Sequence, residues 1–249
     1  MRRLWVRYGF FVHPVVGPVL IDTGYTSRII TAPDRSIWLR GYIRALAPDL
    51  NDAEQPEAVL ARHGLSPDDV ATVIVTHFHA DHISGLADFP KARFLASGAA
   101  WAALRNASTF GHTRHGVFPE LLPETFGARL DPIEERPMTP QSGLPGGYDL
   151  FGDGTVYAIA LPGHADGHFG VLFPKSDPLL FYATDAQWLI DALPQNARPR
   201  ILPRLISDTY AKVGQSTDVV EGIRNAGGRV LLCHDDTPTP HDLCNGASL

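Results

Sequence analysis

Residues 76–82 read THFHADH, which places three histidines and one aspartate within six positions. A β-branched apolar run, residues 70–76, leads into them, so the crowd ends a buried strand and does not belong to a low-complexity tail. His77 and His79 are two apart, and an extended backbone points both side chains the same way. Asp81 and His82 follow where the chain must turn towards a helix. Imidazole and carboxylate are the donors that zinc, iron, cobalt and manganese accept. With no cation among them, four such groups repel one another when protonated or sit badly desolvated. Three further donors also close apolar runs: His164 after AIALPG, Asp185 after LLFYAT and His234 after VLLC. Seven donors on four strand ends point to a metal centre, where a solvated histidine-rich turn would need no such placement.

The rest of the chain bounds what that centre can serve. With 249 residues, 44% hydrophobic and 19% charged, the composition is that of an ordinary globular protein, expected as a single domain over residues 1–249. The formal charge is −6 and no run of Lys or Arg occurs, which argues against nucleic acid and leaves a small molecule as the expected partner. The two cysteines, Cys233 and Cys244, form no CxxC, and Cys233 reads as a buried free thiol inside RVLLCHD. The opening MRRLWVRYGFFVHPVVGPVLI mimics a secretion signal, but Arg7 and His13 interrupt it and no small-residue cleavage site follows. No run reaches membrane-spanning length, so a cytoplasmic protein is expected. The aromatic N-terminal strands offer an edge for a homodimer.

The elements that must position the donors alternate in kind. Residues 4–12 and 15–21 read as paired strands joined at HPVVGP, and the segment after IDTGY reads as polar and proline-broken. Residues 56–63 carry helical spacing stopped at Gly64, 70–76 a buried strand, and 97–106 a helix with Ser97 as N-cap. Residues from about 107 to 147 lack periodicity and read as an irregular, lid-like insertion. Strands follow at 148–150 and 155–161 around a turn containing Asp153-Gly154, then at 169–173 and 179–183. A helix over 218–226 and a strand over 229–233 close the series. Strand pairs punctuated by helices in both halves suggest two sheets packed face to face with helices outside.

THFHADH, LPGHADGH, TDA and CHD, preceded by IDTG, together resemble the metallo-β-lactamase superfamily, over residues 22–234. The resemblance implies an α/β fold, a four-layer αββα sandwich with a dinuclear site at one edge of the sheets. It assigns His77, His79 and His164 to one ion and Asp81, His82 and His234 to the other. Asp185 bridges them beside a shared hydroxide, and Asp22 matches the family's aspartate that orients the ligand loop. Asp81 and Asp185 are then the candidate catalytic groups. Two divalent ions are implied, zinc first, with iron, manganese and cobalt as alternatives.

A hydroxide between two dications hydrolyses esters, lactones, thioesters, amides or phosphodiesters. A bridging aspartate distinguishes this chain from the true β-lactamases, and the missing basic arm from the ribonuclease branch. Residues 235–249 are too few for the helical extension of glyoxalase II-like thioesterases. The best match is the N-acyl-homoserine lactone lactonase branch, so a lactonase or related esterase, in a quorum-quenching role, is expected. Alternatives are a phosphodiesterase, favoured if a basic group such as Arg114 lies near the metals, and a non-catalytic sensor. One departure stands out. Three residues after Asp185, where those lactonases commonly carry a tyrosine, this chain has Trp188, whose indole N–H donates a hydrogen bond but accepts none. Tyr182 is close by, but strand alternation turns it from the face bearing Asp185. Trp188, His112 and His115 are candidate pocket groups, the two histidines reading equally as solvated loop residues. His168 reads as a structural partner of the ligand loop, Gly163 and Gly167 as small residues that let that loop turn tightly, and His13, His63 and His241 as surface residues.

Overall fold

Residues 72–74 (TVI) are β-branched and wholly buried, which suits a short strand covered on both faces. In the computed structural model, which describes residues 4–141, 144–195 and 207–243, they form the centre of a five-stranded sheet. Met1–Arg3 of the signal-like opening and Cys244 lie outside the described residues. The first sheet runs in the order β1 (Gly9–His13), β2 (Gly17–Ile21), β3 (Thr72–Ile74), β4 (Arg93–Ala96) and β5 (Leu130–Pro132). β1 and β2 form the expected antiparallel pair, with Gly9 opposite Ile21, while β2–β3 and β3–β4 are parallel. His13, expected at the surface, is buried instead. Its Nδ1 accepts the N–H groups of Val15 and Val16, both at 3.2 Å, so the ring holds the turn together.

Four helices accompany this stretch of chain: α1 (Arg28–Thr31), α2 (Ile37–Leu46), α3 (Pro56–Arg62) and α4 (Ala80–Ile83). α2 occupies the segment read as polar and proline-broken. Ser36 caps it by accepting from Leu39 N–H, and Leu39 is the side chain it buries. Leu39, Tyr42, Ile43 and Leu46 recur at helical spacing along it, an apolar stripe that the reading of this segment as proline-broken passed over, while Ile37, Trp38 and Leu46 are exposed.

The second sheet runs in the order β11 (Arg229–Leu231), β10 (Leu180–Tyr182), β9 (Phe169–Phe173), β8 (Tyr157–Ala160), β7 (Leu144–Asp149) and β6 (Met138–Gln141). Its pairs are antiparallel except β10–β11, which is parallel. The turn between β7 and β8 is held by Asp149, whose two oxygens accept from Gly152 and Gly154 N–H at 2.9 Å each. Ile159, Leu161, Leu172, Phe181, Val220 and Ile223 form one apolar core, the last two from α8 (Val213–Asn225). α8 begins five residues before the expected start at 218, and its first residue, Val213, is also buried.

The stretch 107–147 is built from short pieces: α6 (Thr109–Arg114), α7 (Phe126–Arg129), β5, β6 and the start of β7. No helix there exceeds six residues, less than two turns, so no period shows. α5 (Gly98–Asn106) precedes it with Ser97 as its N-cap, as expected. By its contacts the chain gathers into two compact units, each drawn from three stretches. One holds the described residues of Met1–Arg7, Ala96–Ala107 and Asp131–Asp236; the other holds those of Tyr8–Leu95, Ser108–Leu130 and Thr237–Leu249. Among the described residues no helix is long and apolar enough to cross a membrane.

Ser97 Oγ accepts from Ala100 N–H and donates to Glu134 Oε1 at 2.6 Å, while Gly98 N–H donates to Glu134 Oε2 at 2.9 Å. Burial by itself would raise the Glu134 pKa; the Ser97 and Gly98 donors outweigh it and hold the carboxyl below its ordinary value. A carboxyl depressed in the fold stabilises above its unfolded pKa of about 4.3, and that contribution disappears as pH falls through the folded value. Glu134→Gln is therefore expected to lower the thermal midpoint at pH 7 by about 2 °C. The gap to the parent closes in acid, which midpoints measured from pH 7 to pH 3 would show.

Candidate metal centre

Asp22 sits just past β2 with φ of +59°, a left-handed conformation that aspartate tolerates better than most residues. Its N–H donates to Ile74 O at 2.8 Å, continuing the β2–β3 pairing by one bond. Its carboxylate is fully buried and accepts three hydrogen bonds: Thr76 N–H to Oδ1 at 2.8 Å, Thr76 Oγ1 to Oδ2 at 2.7 Å and His82 Nδ1 to Oδ2 at 2.8 Å. One side chain thus fixes the strand end where the donors begin and the helix where they finish. Thr23 completes the tie, its N–H and hydroxyl both reaching His82 O at 3.0 Å.

These bonds select the ring tautomers. A carboxylate only accepts, so His82 Nδ1 carries the hydrogen and Nε2 keeps its lone pair. The Thr76 hydroxyl hydrogen goes to Asp22, so its oxygen accepts from His77 Nδ1 at 3.2 Å, and His77 Nε2 is likewise left with a lone pair. That Nε2 lies 3.0 Å from His79 Nδ1. Phe78, between them, turns the opposite way and packs edge-on against Phe126 at 5.6 Å, and Phe126 stacks on Phe94 at 4.8 Å. The alternation inferred from the spacing is therefore anchored by an aromatic cluster. α4 is aligned by Ala80 N–H donating to Gly116 O at 3.0 Å, and Asp81 Oδ2 lies 3.8 Å from His82 Nε2.

The other compact unit carries its own cluster. His164 follows β8 in a loop closed by two glycines in the left-handed region. A Cβ on Gly163 (φ +117°) would lie 2.5 Å from Val213 N, and one on Gly167 (φ +64°) 2.5 Å from Ser97 Cβ. His164 Nε2 is 3.4 Å and His234 Nε2 2.9 Å from the same oxygen, Asp185 Oδ2. Cys233, also buried, groups with Asp185 and His234, their ligand atoms within 4.8 Å of one another. His168 donates from Nδ1 to Leu161 O at 2.9 Å, so its Nε2 accepts the Thr184 hydroxyl at 2.5 Å. Thr184, β-branched and at φ +47°, is held there from both sides, its carbonyl accepting Cys233 N–H at 2.9 Å. The strained residue immediately precedes Asp185, and this pairing was not legible beforehand. Tyr182 turns from Asp185, as alternation required, and donates to Arg7 O at 2.7 Å.

Candidate metal ligands therefore occur in both units: His77, His79, Asp81 and His82, oriented by Asp22, in one, and His164, Asp185, Cys233 and His234 in the other. In neutral His234, whose Nδ1 lies 2.7 Å from the Trp5 carbonyl, the remaining lone pair on Nε2 faces Asp185 Oδ2 at 2.9 Å, a contact that is unfavourable unless a cation lies between them. The imidazole and carboxylate set, buried except for the partly exposed His234, suits a borderline divalent ion. Among the expected pocket groups, Trp188 is edge-on to His234 with ring centroids 5.9 Å apart. His112 lies on α6 and His115 is its C-terminal cap; neither joins a group of metal-ligating side chains among the described residues.

The sequence pattern that defines the metallo-beta-lactamase superfamily matches residues 15–181. The chain belongs to that superfamily. It is 29% identical over 241 residues to the N-acyl homoserine lactonase AttM of Azorhizobium caulinodans, covering 94% of this chain and 83% of that one. The AttM lactonase of Agrobacterium fabrum is 30% identical over 219 residues, 84% of this chain and 74% of its own. Among solved structures, a quorum-quenching N-acyl homoserine lactone lactonase superposes with a TM-score of 0.67 at 17% identity, over 94% of this chain and 80% of that chain. AidC, a dizinc quorum-quenching lactonase with N-hexanoyl-L-homoserine bound as product, gives 0.62 at 17% identity over 94% and 74%. The fold is the metallo-β-lactamase fold: two mixed sheets with helices, of the α/β class.

Asp22→Asn tests the first cluster. The amide turns two donors towards Thr76 and His82, which themselves donate, so one carboxylate oxygen's worth of acceptance is lost in a buried place. Metal affinity measured by chelator competition is expected to fall about 10- to 100-fold.

Proposed function

We propose that this superfamily hydrolase is a dinuclear lactonase acting as one catalytic domain, its two clusters contributing to a single centre. His77, His79 and His164 would hold one ion, and Asp81, His82 and His234 the other, with Asp185 shared. The observation that carries the reading is Asp185 Oδ2, within 3.4 Å of both His164 and His234, histidines assigned to different ions. Two bound divalent ions supply Lewis acidity and a water acidic enough to attack at neutral pH. Zinc is the ion of choice, in keeping with the dizinc character of AidC.

The chain's own residues then do three things. Asp22 and Thr76 keep the imidazoles of His77 and His82 in the tautomers that leave Nε2 available. Asp185 holds the attacking water's proton on a carboxylate oxygen and passes it to the leaving alkoxide as the ring C–O bond breaks. Trp188, beside His234, walls the pocket and presents an N–H to an oxygen of the substrate, so the tyrosine of related lactonases has a donor but no proton shuttle in its place. An N-acyl-homoserine lactone or a related lactone is the substrate class, supported by curated lactonases at 29–30% identity over most of the chain.

Ring opening yields a carboxylate and releases one proton, so a pH-indicator assay follows it directly. Zinc-loaded protein is expected to open a long-chain N-acyl-homoserine lactone, and Asp185→Asn to lower kcat about 100-fold or more. Folded, metal-loaded protein that leaves the lactone intact would sink the substrate assignment.

A further inference from the structure

The segment just before β1 belongs to the unit that carries His164, Asp185 and His234; the division between units falls between Arg7 and Tyr8. It runs as a strap beside the chain that follows β11. Trp5 N–H donates to His234 O at 3.4 Å, and Arg7 N–H to Cys233 O at 3.1 Å. The Arg7 guanidinium reaches the carbonyls of Leu232, at 3.2 Å, and Asp235, and lies 4.9 Å from the Trp5 ring. The Arg7 carbonyl accepts from the Tyr182 hydroxyl at 2.7 Å. Tyr182 of β10 and the four residues Leu232–Asp235 that follow β11 thus pin Trp5 and Arg7 of the strap.

What the strap delivers is one carbonyl. Trp5 O accepts from His234 Nδ1 at 2.7 Å. A carbonyl has no hydrogen to give, so Nδ1 must carry the proton, and the lone pair is confined to Nε2, 2.9 Å from Asp185 Oδ2. In the first cluster the Asp22 carboxylate performs this service for His82. At His234 the backbone of a segment 229 positions away stands in that place.

We propose that the strap formed by Trp5–Arg7 is the positioning element of His234, with Arg7 and Tyr182 as the positioning residues that hold the Trp5 carbonyl against the imidazole. This rests on the reading of His234 as a ligand. It adds that one of the two ions depends on the N-terminal segment and the other does not. The side chain at position 5 matters less than where its carbonyl is held, so the guanidinium and the phenol, not the indole, control the geometry.

The test uses the full-length protein with Arg7→Met, which keeps most of the aliphatic stem, and Tyr182→Phe, which removes only the hydroxyl. Zinc stoichiometry and the two stepwise affinities are measured by chelator competition. Proton spectra of the cobalt-substituted protein report the exchangeable imidazole N–H of each ligand histidine. The expected result is a weakening of one ion by about 10-fold or more in each variant, the other affinity holding. The same variants lose or shift a single exchangeable resonance, identified as His234 by its absence from His234→Ala. Two unchanged affinities with unchanged resonances would overturn the proposal. Equal loss of both ions with a lowered thermal midpoint would overturn it too, since that is what a merely structural strap produces. A parent protein that binds fewer than two ions would instead refute the dinuclear reading on which it rests.

Discussion

The Asp22 carboxylate accepts from the Thr76 backbone, the Thr76 hydroxyl and the His82 ring, and it does so with no solvent exposure. A buried charge with three donors is stable only while all three stay in place, because each lost partner leaves it uncompensated. The end of β2, the end of β3 and the four-residue helix α4 are therefore locked to one another around a single group. α4 is too short to hold itself together by its own hydrogen bonds. Its orientation comes from Asp22, Thr23 and the Gly116 carbonyl.

The two clusters use different means to one end. An anionic partner behind His82 raises the basicity of that imidazole, whereas the neutral Trp5 carbonyl behind His234 sets direction with less electronic push. Asp185 is aimed by a third device, the strained Thr184 clamped between the His168 ring and the Cys233 N–H. The strain is tolerable because β10, β9 and β8 beneath it are packed into one apolar core. His164 depends in turn on close approaches that only glycine permits at 163 and 167. Packing, hydrogen bonding and backbone strain thus meet at the same few ångströms.

Chemistry at such a centre is general, and the pocket decides the substrate. Trp188 stands edge-on to His234, and its indole N–H donates a hydrogen bond but accepts none.

The donors themselves were legible in the sequence because their chemistry is local. THFHADH announces itself by residue type and spacing, and His164, Asp185 and His234 by their places at strand ends. Paired strands at either end of HPVVGP, the Ser97 cap and the strand over 169–173 were legible for the same reason: each depends on neighbours along the chain. The helix over 37–46 was missed although Leu39, Tyr42, Ile43 and Leu46 carry helical spacing, because Pro33 and Pro48 on either side of it suggested a broken segment. His13 gave no sign of burial, as its ring is held by the backbone of the turn it closes. The His168–Thr184 pair and the strap on His234 join residues 16 and 229 positions apart. The second of these works through a backbone carbonyl, which every residue type possesses. Nothing in a sequence can mark such a contact; only the folded chain brings that oxygen to that ring.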